Sequence, residues 1–137
     1  MPARSKLKIT LVPDAWKRVV IALLDSGKST EILWTDRAMQ NWQYLDDFGT
    51  KDRAYDHLIA TLEQPHLLGH DHPPQQDKLD WSYCDTWAFL SPHPQGFATP
   101  VYAKIALHNN QLRINLISLH IDLTKELEIA IAAYLKK

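Results

Sequence analysis

The chain has 137 residues, enough for one domain of ordinary size that buries a core without disulfide or metal staples. Fifteen Lys and Arg against sixteen Asp and Glu give a formal charge of -1, so the field of the whole molecule does not draw in nucleic acid and any such role rests on a local patch. Cys84 is the one cysteine. It excludes an internal disulfide, MPARSKLKITLV lacks the apolar run of a signal peptide, and no stretch approaches the roughly 18 apolar residues of a membrane span, so the expectation is a cytoplasmic protein with no membrane partner.

KLKITLV alternates Leu7, Ile9 and Leu11 with Lys6, Lys8 and Thr10, which predicts a short half-buried strand. From Asp14 the period changes. Trp16, Val19, Val20, Leu23 and Leu24 fall on one helical face, Asp14 is placed to cap the start, and Gly27 to close the end. TEILWT predicts a second strand, and TDRAMQNWQYL a helix capped by Thr35 with Met39, Trp42 and Leu45 inward. Another helix begins at Thr50, turns Tyr55, Leu58, Ile59 and Leu62 to one side, and stops before Pro65.

The stretch HLLGHDHPPQQDKLDWSYC then gathers His66, His70, His72 and Cys84. Its spacing matches no standard zinc pattern, and a chain of this length folds without zinc, so no metal and no cofactor are expected. What remains is a solvated polar turn, or a histidine loop beside the sheet with His70 or His72 facing a functional surface. Cys84 reads as a small apolar strand residue. Among the five tryptophans, Trp16, Trp34, Trp42, Trp81 and Trp87, core packing is the plain reading, and base stacking by Trp81 or Trp87 the sharper one.

YCDTWAFL, PVYAKIAL and LRINLISLHI follow as aromatic and β-branched strands, and Asn109-Asn110 suits a two-residue hairpin turn. TKELEIAIAAYLKK closes the chain as a helix with Leu127, Ile131, Tyr134 and Leu135 inward. No linker divides residues 1–137, so the fold class expected is a single α+β domain: an antiparallel sheet, the N-terminal helices packed on one face, and a C-terminal helix.

The last two strands hold the candidate functional residues. A turn at Asn109-Asn110 pairs Ala106 with Arg113, Lys104 with Asn115 and Tyr102 with Ile117. One face then collects Tyr102, Lys104, His108, Arg113 and Asn115, and the other a core of residues including Ile105, Leu107, Leu112, Ile114 and Leu116. Beyond Leu116 the parity flips. A β-bulge near Leu116-Ile117 restores it and brings Ser118 and His120 beside Tyr102 and Lys104. Such a face suits phosphodiester cleavage: Lys104 and Arg113 neutralise the phosphate while His120 or Tyr102 moves a proton to or from a ribose 2′-hydroxyl, and none of this needs a metal. The plainer reading is a sheet face that is polar because it meets water.

Trp87 with AFLSPHPQGFATP behind it, Val101-Tyr102-Ala103-Lys104, a turn, and a last strand ending in Ser118-Leu119-His120 resemble the C-terminal half of MqsR-type toxins, RelE-like bacterial ribonucleases that cleave mRNA. The resemblance implies a RelE-like fold, metal-independent cleavage of single-stranded RNA, and a cognate antitoxin as partner. It makes Tyr102 the functional tyrosine and puts His120 at the terminal basic position. Lys104 and Arg113 complete the catalytic candidates, with His70, Asn115 and Trp87 as candidate substrate contacts. The chain departs from the family at Ala88, where a glutamine is expected, at Leu68 to His70, where a lysine is expected, and in its longer N-terminus and closing helix.

Two other classes stay open. One is a non-catalytic interaction module, a regulator or immunity-like partner, with Asp46, Asp47, Asp52 and Asp56 facing a basic protein. The other is a hydrolase built on Asp71 with His70 or His72, for which no GxSxG, P-loop, GxGxxG or HExxH pattern exists here.

Overall fold

A computed structural model describes residues 7–46, 49–72, 84–108, 111–122 and 124–136, the side chain of His72 excepted. In chain order the elements are β1 (Ile9–Leu11), α1 (Asp14–Ser26), β2 (Ile32–Trp34), α2 (Asp36–Leu45), α3 (Lys51–Leu62), β3 (Leu68–His72), β4 (Cys84–Ser91), β5 (Val101–His108), β6 (Ile114–Ile121) and α4 (Glu126–Leu135). The strands form one sheet in the order β1-β3-β4-β5-β6-β2, antiparallel throughout except for β2, which pairs with β6 in parallel. The α+β class expected from the sequence is the class observed.

Local chemistry accounts for the helix ends. Thr35 and Thr50 accept hydrogen bonds from the amides of Ala38 and Arg53 and so cap α2 and α3. Gly27, at φ 63°, closes α1 in the left-handed conformation that glycine adopts without strain. Asp14 is the first residue of α1 rather than its cap, the cap position being Pro13. Its carboxylate pairs instead with Lys17, whose ammonium also donates to the Gln64 carbonyl at the end of α3.

One face of the sheet carries the main core. Trp87, Phe89, Ala103, Ile105, Leu116 and Leu119 pack there with Trp16, Val20, Leu24, Trp42, Leu58 and Leu62 from α1, α2 and α3. The indole N–H groups of Trp16, Trp34 and Trp42 donate to Asp85 O, Tyr55 Oη and Thr50 O, so Trp16 and Trp42 are buried, and Trp34 is half-buried, at no polar cost. The helix α4 lies on the opposite face, against β1, β3 and β4.

Several sequence expectations need correction. The histidine-rich stretch is not a turn in its first part: Leu68–His72 is a strand between β1 and β4, admitted by Gly69, where a Cβ would lie 2.7 Å from Ala88 O and 2.7 Å from Val12 Cγ2. In α4 the inward residues are Leu127 and Ala130, while Tyr134 and Leu135 are exposed, because the helix meets the sheet only through its first turns. Leu112, expected in the core, is 73% exposed in the β5–β6 connection.

That connection is longer than a two-residue turn. Ala106 pairs with Asn115 rather than Arg113, and Tyr102 with His120 rather than Ile117. The bulge stands where the parity flip puts it: Ile105 opposes Leu116, Lys104 opposes Ser118, and Ile117 is the extra residue.

Candidate functional site

The bulge aligns two residue pairs on the face away from the main core. Tyr102 and His120 lie directly opposite each other with their rings stacked, centroids 5.2 Å apart and planes at 19°. One pair further along, Lys104 opposes Ser118. On the other side of β5, Lys104 opposes Ala88, which in turn opposes His70 on β3, so the small Ala88 leaves room between the lysine and the histidine strand. A cleft of about 490 Å³ runs over these residues. Its floor includes His70, Tyr102, Lys104, Ser118 and His120, and its far wall is Asp122, Thr124, Glu126 and Leu127 where β6 passes into α4. This volume is in the range of small-molecule sites.

The geometry specifies protonation. His120 Nδ1 is 2.9 Å from the carbonyl oxygen of Ile121, and a carbonyl only accepts, so in the neutral ring Nδ1 carries the proton and Nε2 keeps its lone pair. Burial holds the Tyr102 phenol above its ordinary pKa, and the nearby carboxylates of Asp122 and Glu126 push in the same direction. The phenol is therefore a proton-bearing donor at neutral pH. The His120 ring stacks against it.

A second cleft, of about 540 Å³, opens on the other side of His120, between α2 and the β4–β5 connection. Arg37, Asn41, Tyr44 and Phe97 line it, with Tyr44 88% and Phe97 64% exposed. His93 makes an edge contact with Phe97 and accepts from the Gln95 amide, which fixes this wall. His120 belongs to both clefts.

Of the residues expected in the site, Tyr102, Lys104, His120 and His70 come together. Arg113 does not. It lies at the far end of the hairpin, where its guanidinium approaches His108 Nε2 at 3.3 Å; at about 3.3 Å per strand residue it is roughly 20 Å from His120. Asn115 is buried opposite Ala106 and lines neither cleft. Trp87 is buried on the core face, and base stacking at the cleft is closed to it. Trp81 lies outside the described residues. The acidic patch is also reduced: Asp46 is buried and paired with Arg53, and Asp47 is outside the described residues.

Three features were not expected from the sequence. Asp122 and Glu126 follow the last strand with no spacing that marks them, and the aromatic cleft is assembled from α2 and a loop far apart in sequence. The third is His57, whose Nε2 is 2.6 Å from Pro92 O and 2.9 Å from Ser91 Oγ, with Ser91 Oγ 2.7 Å from Thr61 Oγ1. Because the carbonyl only accepts, Nε2 is a donor, and Thr61 spends its own proton on His57 O. Ser91 thus donates to Thr61 and meets no base, so this Ser-His contact has the wrong polarity for a nucleophile and serves as a clamp between α3 and β4.

Among the described residues no group of three or more His, Cys, Asp or Glu side chains is arranged to hold a metal ion, and Cys84 is buried with Ala106 and Ile117. No helix among them is long and apolar enough to cross a membrane. Comparisons of the chain with models of protein families, with curated proteins and with solved structures find no match.

Proposed function

We propose that the chain is a metal-independent endoribonuclease that cuts single-stranded RNA in the cytoplasm at the Tyr102–His120 cleft. The observation that supports this reading best is the stacked Tyr102–His120 pair with Lys104 and Ser118 next to it, at the junction of two clefts. His120 Nε2 takes the proton of a ribose 2′-hydroxyl, whose oxygen attacks the adjacent phosphorus. The bond to the 5′-oxygen breaks, and the Tyr102 phenol supplies the proton that this oxygen needs. The products are a 2′,3′-cyclic phosphate and a 5′-hydroxyl. Lys104 stabilises the negative charge that builds on the phosphate oxygens, and with Arg113 distant it acts there with the His70 side of the cleft.

The RelE-like resemblance agrees with this reading through Tyr102 and the terminal basic position of His120, and adds a cognate antitoxin as the expected partner. The exposed Tyr44, Phe97 and Arg37 favour a second reading, a non-catalytic interaction module, since aromatic and arginine side chains are enriched where proteins dock. Incubation of the full chain with an unstructured RNA in EDTA separates the two. The ribonuclease reading expects fragments from the wild-type chain and about 10²- to 10⁴-fold slower cutting by His120→Ala; intact RNA with the wild-type chain favours the interaction module.

A further inference from the structure

Asp122 is 3% exposed, and among the described residues its Oδ2 atom has no hydrogen-bond partner. A buried carboxylate oxygen without a partner is costly, so it persists only where something offsets it. Contacts among the described residues do not satisfy this oxygen. Its backbone is occupied, the amide donating to Pro100 O and the carbonyl accepting from the Lys125 amide, while the side chain lines the cleft beside Tyr102 and Glu126. The cleft is therefore polarised, with Lys104 and His70 on the strand side and two carboxylates on the helix side. A ligand that fits this arrangement carries an anion at one end and N–H donors at the other.

We infer that Asp122 reads the base of the nucleotide whose phosphate sits at Lys104 and His120, and that the base is guanine. A carboxylate only accepts hydrogen bonds. The Watson–Crick edge of guanine offers two adjacent donors, N1–H and the N2 amino group, whereas uracil offers a single N3–H flanked by two carbonyl oxygens that a carboxylate repels. Sequence-specific readers of single-stranded RNA use this edge. The position of the phosphate rests on the ribonuclease reading above; the donor preference of Asp122 does not.

The test is calorimetric binding of guanosine 3′-monophosphate and uridine 3′-monophosphate to the full chain and to Asp122→Asn, with melting temperatures and RNA cutting measured alongside. The guanosine nucleotide is expected to bind about 10- to 100-fold more tightly, the scale of hydrogen bonds to a charged group. In Asp122→Asn the ratio should collapse toward one while the melting temperature holds or rises. Equal or absent binding by the wild-type chain, an unchanged ratio in the variant, or a lower melting temperature of Asp122→Asn overturns the assignment, the last because the carboxylate would then serve the fold. A chain that discriminates the nucleotides without cutting RNA keeps this inference and removes the ribonuclease reading, and a chain that cuts without base preference does the reverse.

Discussion

Tyr102 and His120 stand face to face across β5 and β6, and they do so because Ile117 is an extra residue in the partner strand. Without that residue the alternation would carry His120 to the core face, where Val101, Ala103 and Leu119 are packed. The bulge sets this pair on the face away from the main core.

Distance from this pair orders the effects of substitution. Arg113→Ala should leave RNA cutting unchanged, because its guanidinium lies beside His108 and not in either cleft. Lys104→Ala, in the same assay, should slow cutting strongly with little change in melting temperature. Equal losses from the two variants would place the phosphate elsewhere on the hairpin.

Trp87→Ala should act on stability alone. The side chain is buried among the residues that join the sheet to α1 and α3, so its removal should cost about 3–5 kcal/mol in urea denaturation, the usual scale for emptying an aromatic core position. Cutting per folded molecule should persist. A variant of normal stability that no longer binds RNA would return Trp87 to the substrate site.

Gly69→Ala tests the strand formed by the histidine-rich stretch. The new Cβ would meet Ala88 O and Val12 Cγ2 at 2.7 Å, and a backbone oxygen within a sheet cannot yield. The melting temperature should fall, and because His70 is the next residue of β3, activity should fall with it. A variant as stable as the wild type would mean that β3 does not pair closely with β4.

The clamp at His57 predicts a pH dependence of stability. Burial lowers its pKa, against smaller opposing effects of the Pro92 carbonyl and Asp46, with His93 lowering it further. A histidine whose folded pKa is depressed stabilises the fold fully above the unfolded value of about 6.5, and the contribution is lost as pH falls from there through the folded pKa. Urea midpoints measured at pH 7.5 and pH 5 should therefore drop less for His57→Gln than for the wild-type chain. An equal drop would show that His57 is not held neutral by the fold.

Much of this arrangement is legible in the sequence because face and register are separate questions. The two-residue turn at Asn109-Asn110 gives the wrong partners, yet the true pairing differs from it by two residues up to the bulge, and a shift of two preserves faces. Ile105, Leu107, Ile114 and Leu116 therefore fall on the core side either way, and the parity flip at Leu116 locates the bulge. Leu112 and Arg113 fail for the same reason: they belong to or border a longer connection, and alternation says nothing about where a loop ends. The strand character of Leu68–His72 was hidden because Gly and His carry little β-propensity, and pairing on both sides overrides it. Asp122 carries no signal in the sequence, because nothing there separates a buried carboxylate from a solvated one; burial comes only with the fold.

In the proposed reaction a ribose 2′-hydroxyl is the nucleophile and His120 its base. The most direct measurement uses a short single-stranded RNA with one preferred cut site and the same strand with a single 2′-deoxy nucleotide at that site, both in EDTA, with end-group analysis of the products. The expected results are a 2′,3′-cyclic phosphate and a 5′-hydroxyl from the all-ribose strand, no cut at the deoxy position, and cutting slowed about 10²- to 10⁴-fold by His120→Ala. Cleavage of the deoxy strand at the same place and rate, or full activity of His120→Ala, would contradict it.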